Sequence, residues 1–395
     1  MPTGQPALVA KITEEISTSG PIPFARFMDL ALYHPQYGYY MREDDGSASE
    51  RIGWTGDYYT SSEVHPVLAQ AVVRQARQID TLLGQPDPFM FVEMGAGKGF
   101  FARDFLQHCA GTDETLFKRL RYLIVERSPA MVSSQQRLLA PCLDTPGRVQ
   151  WLNDLKELSD QSVVGILFSN ELIDAFPVHR VRVTEGQTKE VFVDCVEDRF
   201  CERLLPCSTP LLQQLQRLES LGVHLPEGTC AEINLASLAW MQEVARVMGR
   251  GFVITIDYGH TGQDLYGEDR RKGTLVCYTQ HRVSDDPYVR VGWQDMTAHV
   301  DFTSLATIGE EAGLHVTGFT NQMSFLMGLG AEEALQSLAS DSPGFQAAIH
   351  LLRPEGMGRT FKVLIQHQGL DRPELEGLRY KPFFESSLAP APSSV

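Results

Sequence analysis

The sequence has few positive charges and no long apolar run, and both absences exclude classes of protein. It contains 34 Lys and Arg residues against 50 Asp and Glu residues, for a formal net charge of -16 at pH 7. A nucleic-acid partner is therefore not expected, because phosphates require clustered Lys and Arg side chains. No apolar run approaches the ~18 residues that a membrane-spanning helix needs, so we expect no membrane span.

Paired cysteines, metal-ligand spacings and targeting signals are also lacking. The seven cysteines include no C-x-x-C pair, and their odd number favours reduced thiols in a bacterial cytoplasm. Residues 1–20 carry Glu14, Glu15 and a single Lys, which is typical of neither a signal peptide nor a transit peptide. We therefore expect a cytoplasmic protein with no metal site.

The chain does contain a regular alternation of apolar runs and helical patterns. With 395 residues, 43% of them hydrophobic, it can bury a large core. The apolar runs predict core strands at 89–93, 121–125, 149–152, 163–168, 251–257, 314–319 and 360–366. Because helical patterns separate most of these strands, we expect an α/β fold with a doubly wound, Rossmann-like sheet of seven strands, the last of them antiparallel.

Segments of a different pattern flank or interrupt this core. We expect an N-terminal helical cap and lid, an inserted β-meander followed by a helix, and a partly disordered C-terminal tail. The resulting division is 1–64 for the cap, 65–180 for the first part of the core, 181–234 for the insertion, 235–370 for the second part of the core and 371–395 for the tail.

The most informative stretch is residues 89–99, where a buried strand turns sharply into a helix. The strand ends in Glu93, and three glycines follow at alternate positions, Gly95, Gly97 and Gly99. Without side chains there, the backbone of the turn can approach a ligand closely. A dinucleotide-binding turn would have a further glycine in place of Phe100, and it would avoid an acid near the pyrophosphate. The pattern therefore favours a cationic nucleoside, with S-adenosyl-L-methionine (SAM) as the leading candidate.

A second acid ends the next predicted strand. Glu126 follows the strand at 121–125, and in doubly wound folds an acid at this place accepts hydrogen bonds from the ribose hydroxyls. The alternative is a surface carboxylate that caps the helix beginning near Ser128 and Pro129. Because Glu126 occurs together with the glycine turn, we favour the ribose role for it.

Polar residues also follow the third and fourth strands. Asn153 and Asp154 are placed to contact the adenine amine, although Asp154 with Glu157 three residues later is also typical of a helix N-cap. Asn170 and Glu171 follow the central fourth strand, where polar side chains face the crevice at the carboxyl ends of the strands. We expect Asn170 to contribute to cofactor binding.

Six motifs together resemble those of a known family. They are GPIPFARFM at 20–28, YHPQYGYY at 33–40, GDYYTSSE at 56–63, NELIDAFPV at 170–178, DYG at 257–259 and DMTAHVDF at 295–302. The chain resembles the MidA-type family of SAM-dependent methyltransferases, which includes the mitochondrial assembly factor that methylates an arginine in a complex I subunit. This resemblance implies a class I methyltransferase with a protein arginine as acceptor and symmetric dimethylation as the outcome.

An arginine acceptor would give the carboxylates after the fourth strand a chemical purpose. A guanidinium stays protonated in proteins, so Glu171 and Asp174 would hold its N–H groups and accept the proton released on methylation. The alternative is that Asn170 and Asp174 merely form a turn before Phe176 and Pro177. The resemblance also makes His299 a candidate catalytic residue of the cleft, with a buried core histidine as an equally supported alternative.

Further residues are expected around the cleft. Asp57, Tyr58, Thr60 and Ser61 are predicted to form a lid loop near the cofactor. Asp257, at the end of the fifth strand, is expected to face the crevice, unless Tyr258 and Gly259 simply form its turn. Asp301 is typical of a helix N-cap. The N-terminal cap and the β-meander would form the acceptor site.

Several functions stay open on sequence alone. A small-molecule methyltransferase is one, although a small acceptor does not need such long insertions. A SAM-binding assembly or chaperone factor without turnover is another, and a dinucleotide oxidoreductase is the most distant. For a protein acceptor, a subunit of a respiratory complex is one candidate partner. The oligomeric state is not determined.

Overall fold

The computed structural model describes residues 4–42, 65–142, 147–279, 282–336, 338–339, 342–382 and 388. The strands are β1 (Ile22–Pro23), β2 (Phe89–Met94), β3 (Leu120–Val125), β4 (Val149–Leu152), β5 (Val163–Asn170), β6 (His179–Thr184), β7 (Gln187–Val196), β8 (Arg199–Pro206), β9 (Cys230–Ile233), β10 (Met248–His260), β11 (Val276–Thr279), β12 (Arg282–Ser284), β13 (Asp295–Thr297), β14 (Val300–Asp301), β15 (His315–Asn321) and β16 (Phe361–Gln368). The α-helices are α1 (Pro6–Ser19), α2 (Phe24–Tyr33), α3 (Val67–Leu82), α4 (Phe100–Thr112), α5 (Glu114–Arg119), α6 (Pro129–Leu139), α7 (Thr209–Ser220), α8 (Leu235–Val247), α9 (Gly262–Leu265), α10 (Phe302–Glu311), α11 (Gln322–Gly328), α12 (Ala331–Gln336) and α13 (Pro343–Leu352). Short 3-10 segments lie at Ala140–Cys142, Leu155–Glu157, Glu268–Arg270 and Glu376–Leu378.

The large sheet contains all seven predicted core strands, in the order β4-β3-β2-β5-β10-β16-β15. The strands from β4 to β10 pair in parallel, and the short β14 adds a parallel pairing to β10. The last strand of the chain, β16, is antiparallel to both of its neighbours. The predicted doubly wound, Rossmann-like α/β fold is therefore confirmed, and its antiparallel strand lies between β10 and β15.

The central strands β2, β3 and β5 are largely apolar runs because helices cover both faces of the sheet. Aromatic rings fill one of these faces. The ring of Phe91 lies 4.3 Å from that of Phe105, 5.0 Å from that of Tyr122 and 5.7 Å from that of Phe168, measured between centroids. Since β2, β3, β4 and β5 are parallel, their carboxyl ends meet at one edge, which brings the predicted polar residues together.

A second sheet combines the predicted β-meander with two other parts of the chain. Strands β6, β7 and β8 are the meander, β9 pairs with β6, and β1 pairs with β7 through the Ile22–Val193 register. Helix α2 packs here, where the rings of Phe27 and Phe200 lie 5.4 Å apart. The sequence did not predict β1, β9 or the third sheet, which consists of β12, β11 and β13.

Helix starts follow local sequence signals. Asn234 caps α8 by accepting a hydrogen bond from the amide of Ser237, and Asp301 caps α10 by accepting one from the amide of Ser304. The N-cap role predicted for Asp301 is thus confirmed. Within the described ranges, no helix is long and apolar enough to cross a membrane.

Candidate active site

A cavity of about 490 Å³ opens at the carboxyl edge of β2, β3, β4 and β5. It is lined by most of the predicted cofactor-binding residues and by Glu171, but not by Gly99; the lining residues among them are Glu93, Gly95, Gly97, Glu126, Asn153, Asp154, Asn170 and Glu171. Apolar and aromatic side chains of other elements complete the wall, among them Tyr33, Phe176 and Trp240. The cavity therefore has the mixed lining of a small-molecule site, with a few polar groups among apolar walls.

The three glycines of the turn serve different purposes. All have positive φ, 77° at Gly95, 51° at Gly97 and 89° at Gly99, a conformation that L residues avoid. A Cβ on Gly95 would lie 2.8 Å from Cδ1 of Leu172, and one on Gly99 would lie 3.2 Å from Cγ of Gln135, whereas one on Gly97 would meet nothing within 4 Å. Gly95 and Gly99 thus permit close packing, and Gly97 borders the open cavity.

Glu93 presents a buried carboxyl group to the cavity. The hydroxyl of Tyr122 donates a 2.7 Å hydrogen bond to Oε2 of Glu93. Burial raises the pKa of Glu93 to about 8, a rise that this hydrogen bond opposes and the charge of Glu126 reinforces. Ionisation of Glu93 therefore benefits from a nearby cation, as a sulfonium or ammonium group would provide.

Glu126 is half-buried at the end of β3 and also has a raised pKa, mainly because of burial. Its Oε1 accepts a 2.8 Å hydrogen bond from the amide of Ser128, and its Oε2 accepts a 3.2 Å bond from Nε2 of Gln135. The bond to Ser128 is local to the start of α6, as the capping alternative implied. The carboxylate nevertheless lines the cavity, so the ribose role stays a prediction.

Asp154 has the N-cap geometry that the sequence offered as an alternative. Its Oδ1 accepts a hydrogen bond from the amide of Lys156 at 3.0 Å, and the amide of Asp154 donates the second capping-box bond to Oε1 of Glu157 at 3.3 Å. The alternative is therefore confirmed. Asn153 and Asp154 are exposed and still border the cavity, so contact with an adenine amine stays a prediction.

The chain turns sharply after β5 through a strained residue. Glu171 has φ 51°, and strain of this kind in a non-glycine residue costs ~1–2 kcal/mol and clusters at functional sites. Nδ2 of Asn170 donates a 3.1 Å hydrogen bond to Oε1 of Glu171. The turn thus fixes the Glu171 carboxylate at the rim of the cavity.

The side chain of Asp257 accepts hydrogen bonds from the backbone of this turn, which corrects our prediction that it faces the crevice. Its side chain is fully buried, and Oδ2 accepts hydrogen bonds from the amides of Leu172, Ile173 and Asp174 at 3.2, 2.9 and 3.3 Å. The alternative, a turn at Tyr258 and Gly259, is wrong as well, because β10 runs on to His260. Asp257 therefore lies within β10, and its carboxylate binds the backbone amides of the turn.

Asp174 lies beneath the rim in a cluster of phenols and acids. Its Oδ2 accepts a hydrogen bond from the hydroxyl of Tyr258, while its Oδ1 is buried and makes no hydrogen bond within the described part of the chain. Burial raises the pKa of Asp174 to about 6, and bonds from Tyr258 and from the backbone oppose the rise. Such a carboxylate is suited to receive a cationic N–H donor.

Neighbouring groups extend this cluster towards the cavity. The hydroxyl of Tyr40 donates a 2.7 Å hydrogen bond to Oδ1 of Asp295. The ring of Tyr33 stacks on that of Tyr40, with 5.5 Å between their centroids. Burial and the charges of Asp295 and Asp174 raise the pKa of Tyr33. Tyr33 and Tyr40 line the cavity, so the acid–phenol cluster adjoins the candidate cofactor site.

His299 adjoins this cluster through Tyr258, in a stack of rings. Its ring is 5.3 Å from that of His260 and 5.5 Å, edge to face, from that of Tyr258. Burial, and then the charges of Arg270 and Lys362, lower the pKa of His299 to about 4. Such a low pKa makes this imidazole a weak base at neutral pH, and its catalytic role stays a prediction.

The remaining predicted residues and those missed by sequence complete the site. Asp57, Tyr58, Thr60 and Ser61, the predicted lid, lie outside the described residues. Sequence analysis missed Trp240, whose Nε1 donates to Sδ of Met94 at 3.0 Å and which lines the cavity with Ala236 and Ala239. The spacing of these three on α8 is that of one helix face, a signal that was available.

Comparisons with known proteins show which family this chain resembles. A family model described as putative S-adenosyl-L-methionine-dependent methyltransferase matches residues 67–320. A protein from Burkholderia thailandensis, solved with S-adenosyl-homocysteine bound, is 29% identical with a TM-score of 0.84 over 95% of each chain. A second structure from that organism is 30% identical with a TM-score of 0.81, again over 95% of each chain.

Curated relatives extend over most of the chain. The protein arginine methyltransferase NDUFAF7 homolog of Drosophila melanogaster is 29% identical, over 93% of this chain and 86% of its own. The human protein arginine methyltransferase NDUFAF7 is 25% identical, over 93% of this chain and 84% of its own. Since the family model covers more than half of the chain and the fold agrees, the chain belongs to this family of S-adenosyl-L-methionine-dependent methyltransferases.

Proposed function

We propose that this enzyme transfers the methyl group of SAM to an arginine side chain of a protein. The observation that carries the proposal is the buried carboxylate of Asp174, with Oδ1 unpartnered among the described residues, beside a cavity suited to a cationic nucleoside. The relatives named as protein arginine methyltransferases support the same acceptor.

The chain's own residues fit the cofactor. Glu93 offers a carboxyl group whose ionisation needs a cation, Gly97 leaves space for close approach of the backbone, and Glu126 offers a carboxylate for ribose hydroxyls. Asn153, Asp154 and Asn170 border the same cavity and are proposed to contact the adenine amine and the rest of the nucleoside. When bound, SAM supplies an electrophilic methyl group.

Two acids are proposed to prepare the acceptor. A guanidinium carries its charge at all relevant pH values, so its nitrogen becomes nucleophilic only when hydrogen bonds localise its electrons. Glu171 at the rim and Asp174 beneath it would hold the N–H groups. As the new N–C bond forms, Asp174 would accept the N–H proton, and its pKa of about 6 keeps it mostly ionised at neutral pH.

We further propose that different segments of the chain have different roles. Residues 65–180 and 235–370 would form the catalytic core, while 1–64 and 181–234 would shape the acceptor site. The acceptor would be a protein, a respiratory-complex-type subunit being one candidate. The seven free cysteines support a reducing compartment, for which we propose the bacterial cytoplasm.

Incubation of the purified enzyme with methyl-labelled SAM and a cell lysate tests this proposal. We expect label in a protein band that yields methylarginine on hydrolysis. Label only in small metabolites would indicate a small-molecule methyltransferase, and absence of transfer despite SAM binding would indicate an assembly or chaperone factor.

Asp174→Asn locates the activity in the structure. The variant should lose transfer while it keeps its affinity for SAM, because Asp174 lies beneath the cofactor cavity rather than in its wall. Glu310→Gln, at an exposed position on α10, is the matched control and should transfer normally. Full transfer by Asp174→Asn would contradict the assigned role.

A further inference from the structure

Gln135 is a buried polar residue on α6 that neither the sequence nor the relatives singled out. Its side chain has no exposed surface. Nε2 donates hydrogen bonds to the carbonyl of Gly97 at 2.7 Å and to Oε2 of Glu126 at 3.2 Å. Oε1 accepts a hydrogen bond from Nε1 of Trp151 at 3.0 Å. One amide therefore joins the ends of three neighbouring strands, β2, β3 and β4.

The orientation of this amide is fixed by its partners. An indole N–H is only a donor, so Oε1 of Gln135 must face Trp151. The amide nitrogen then has two acceptors to satisfy, a carbonyl and a carboxylate, and it carries two N–H groups for them. No other common side chain of this size combines one acceptor with two donors in the same plane, so the position is chemically specific for glutamine.

We propose that Gln135 is a positioning residue for cofactor binding that acts through Glu126 and the glycine turn. By holding the Glu126 carboxylate and the Gly97 carbonyl on one amide, it fixes the distance between the two strand ends that a nucleoside must span. Preorganisation of this kind increases affinity because the bound arrangement exists before the ligand arrives. The inference rests on the proposed role of Glu126 in the cofactor site.

A double-mutant cycle measured as SAM dissociation constants by calorimetry tests the coupling. Glu126→Ala should weaken binding by about 10-fold or more, since it removes a charged hydrogen-bond acceptor. Gln135→Met, of similar volume, should weaken binding by about 3- to 10-fold in the wild type and by less in Glu126→Ala, where only the hydrogen bond to the Gly97 carbonyl remains to be lost.

Gln135→Glu provides a readout that a purely structural role would not change. A carboxyl group between the Gly97 carbonyl and Glu126 must share a proton with Glu126, because all three groups are otherwise acceptors. SAM affinity of this variant should stay near that of the wild type in acidic buffer and fall progressively as the pH rises. The wild type measured over the same series is the reference.

The outcomes separate the two proposals. If Glu126→Ala binds SAM normally, the cofactor role of Glu126 fails and the positioning role fails with it. If Glu126→Ala binds weakly but Gln135→Met causes the same loss in both backgrounds, only the positioning role is overturned. Where Gln135→Met does not fold, Trp151→Phe removes the indole donor instead, and its effect should likewise be smaller in Glu126→Ala than in the wild type.

Discussion

Replacing Tyr258 with phenylalanine removes the hydroxyl that donates a hydrogen bond to Oδ2 of Asp174. Burial raises the pKa of Asp174 to about 6, and this hydrogen bond opposes the rise. A hydrogen bond to a charged group contributes ~1.5–3 kcal/mol, which corresponds to roughly 1–2 pKa units. We therefore expect the pKa of Asp174 to rise to roughly 7–8 in Tyr258→Phe.

The effect on catalysis follows from the protonation state of Asp174. A carboxyl group that accepts the acceptor's proton must start the reaction ionised. At neutral pH roughly nine-tenths of the groups are ionised in the wild type, but only roughly a tenth to a half after the pKa rise. Methyl transfer at neutral pH should therefore fall by about 2- to 10-fold and recover in alkaline buffer.

The assay is the initial rate of label transfer at saturating SAM, measured in a buffer series from mildly acidic to mildly alkaline. Tyr266→Phe is the matched control, because Tyr266 is a buried tyrosine whose hydroxyl donates to the Glu232 carbonyl in a different cluster. Its profile should coincide with that of the wild type. An acidic limb that does not move in Tyr258→Phe, or a loss that is equal at every pH, would refute the reasoning.

Three further predictions concern the cofactor cavity. Glu126→Ala should bind SAM with an affinity lower by about 10- to 150-fold, because a charged hydrogen bond worth ~1.5–3 kcal/mol is lost; an unchanged calorimetric dissociation constant would reject the ribose role. Gly97→Ala should chiefly weaken SAM binding, because its Cβ enters open space. Gly95→Ala should chiefly lower the melting temperature, because its Cβ would lie 2.8 Å from Leu172; equal behaviour of the two variants would contradict this assignment. Burial raises the pKa of Glu93 from 4.5 to about 8, so the folded chain keeps a proton that the unfolded chain releases in that window, and cofactor-free stability should fall with rising pH by up to ~1.4 kcal/mol per pH unit. Urea unfolding of Glu93→Gln should show a shallower slope, because only the raised pKa values of groups such as Glu126 and Asp174 still contribute, and a slope equal to that of the wild type would contradict the prediction.

The central core strands were predictable because each is a largely apolar run with a clear end. The run at 89–93 stops at an acid and a glycine, and that at 163–168 stops at polar residues. Strands buried on both faces of a parallel sheet require such runs. The pairing of β1 with β7 was not predictable, because Ile22–Pro23 is two residues long and its partner strand lies far along the chain. Strands β11, β12 and β13, of three or four residues each, were too short to show a period.

The candidate site was predictable to the extent that it depends on strand ends. Glu93 and Glu126 end adjacent parallel strands, and parallel ends share one edge. Asp257 was misplaced because no local pattern predicts that β10 continues to His260. Tyr258 and Gln135 were missed because their contacts depend on strand register and on the side of α6 that packs inward. Neither is encoded in the spacing of nearby residues.

The placement of acids around the cavity also separates the proposed function from the dinucleotide alternative. Glu93 and Glu126 line the same cavity, and burial raises the pKa of both. Two like charges about 4 Å apart repel by ~4 kcal/mol at an effective dielectric of ~20, so a pyrophosphate in this cavity would be repelled or would force the acids to stay protonated. A sulfonium nucleoside has the opposite sign and restores their ionisation, and a guanidinium does the same for Asp174. The cavity therefore suits a cationic nucleoside better than a pyrophosphate, and the proposed arginine acceptor would place a second cation beside it.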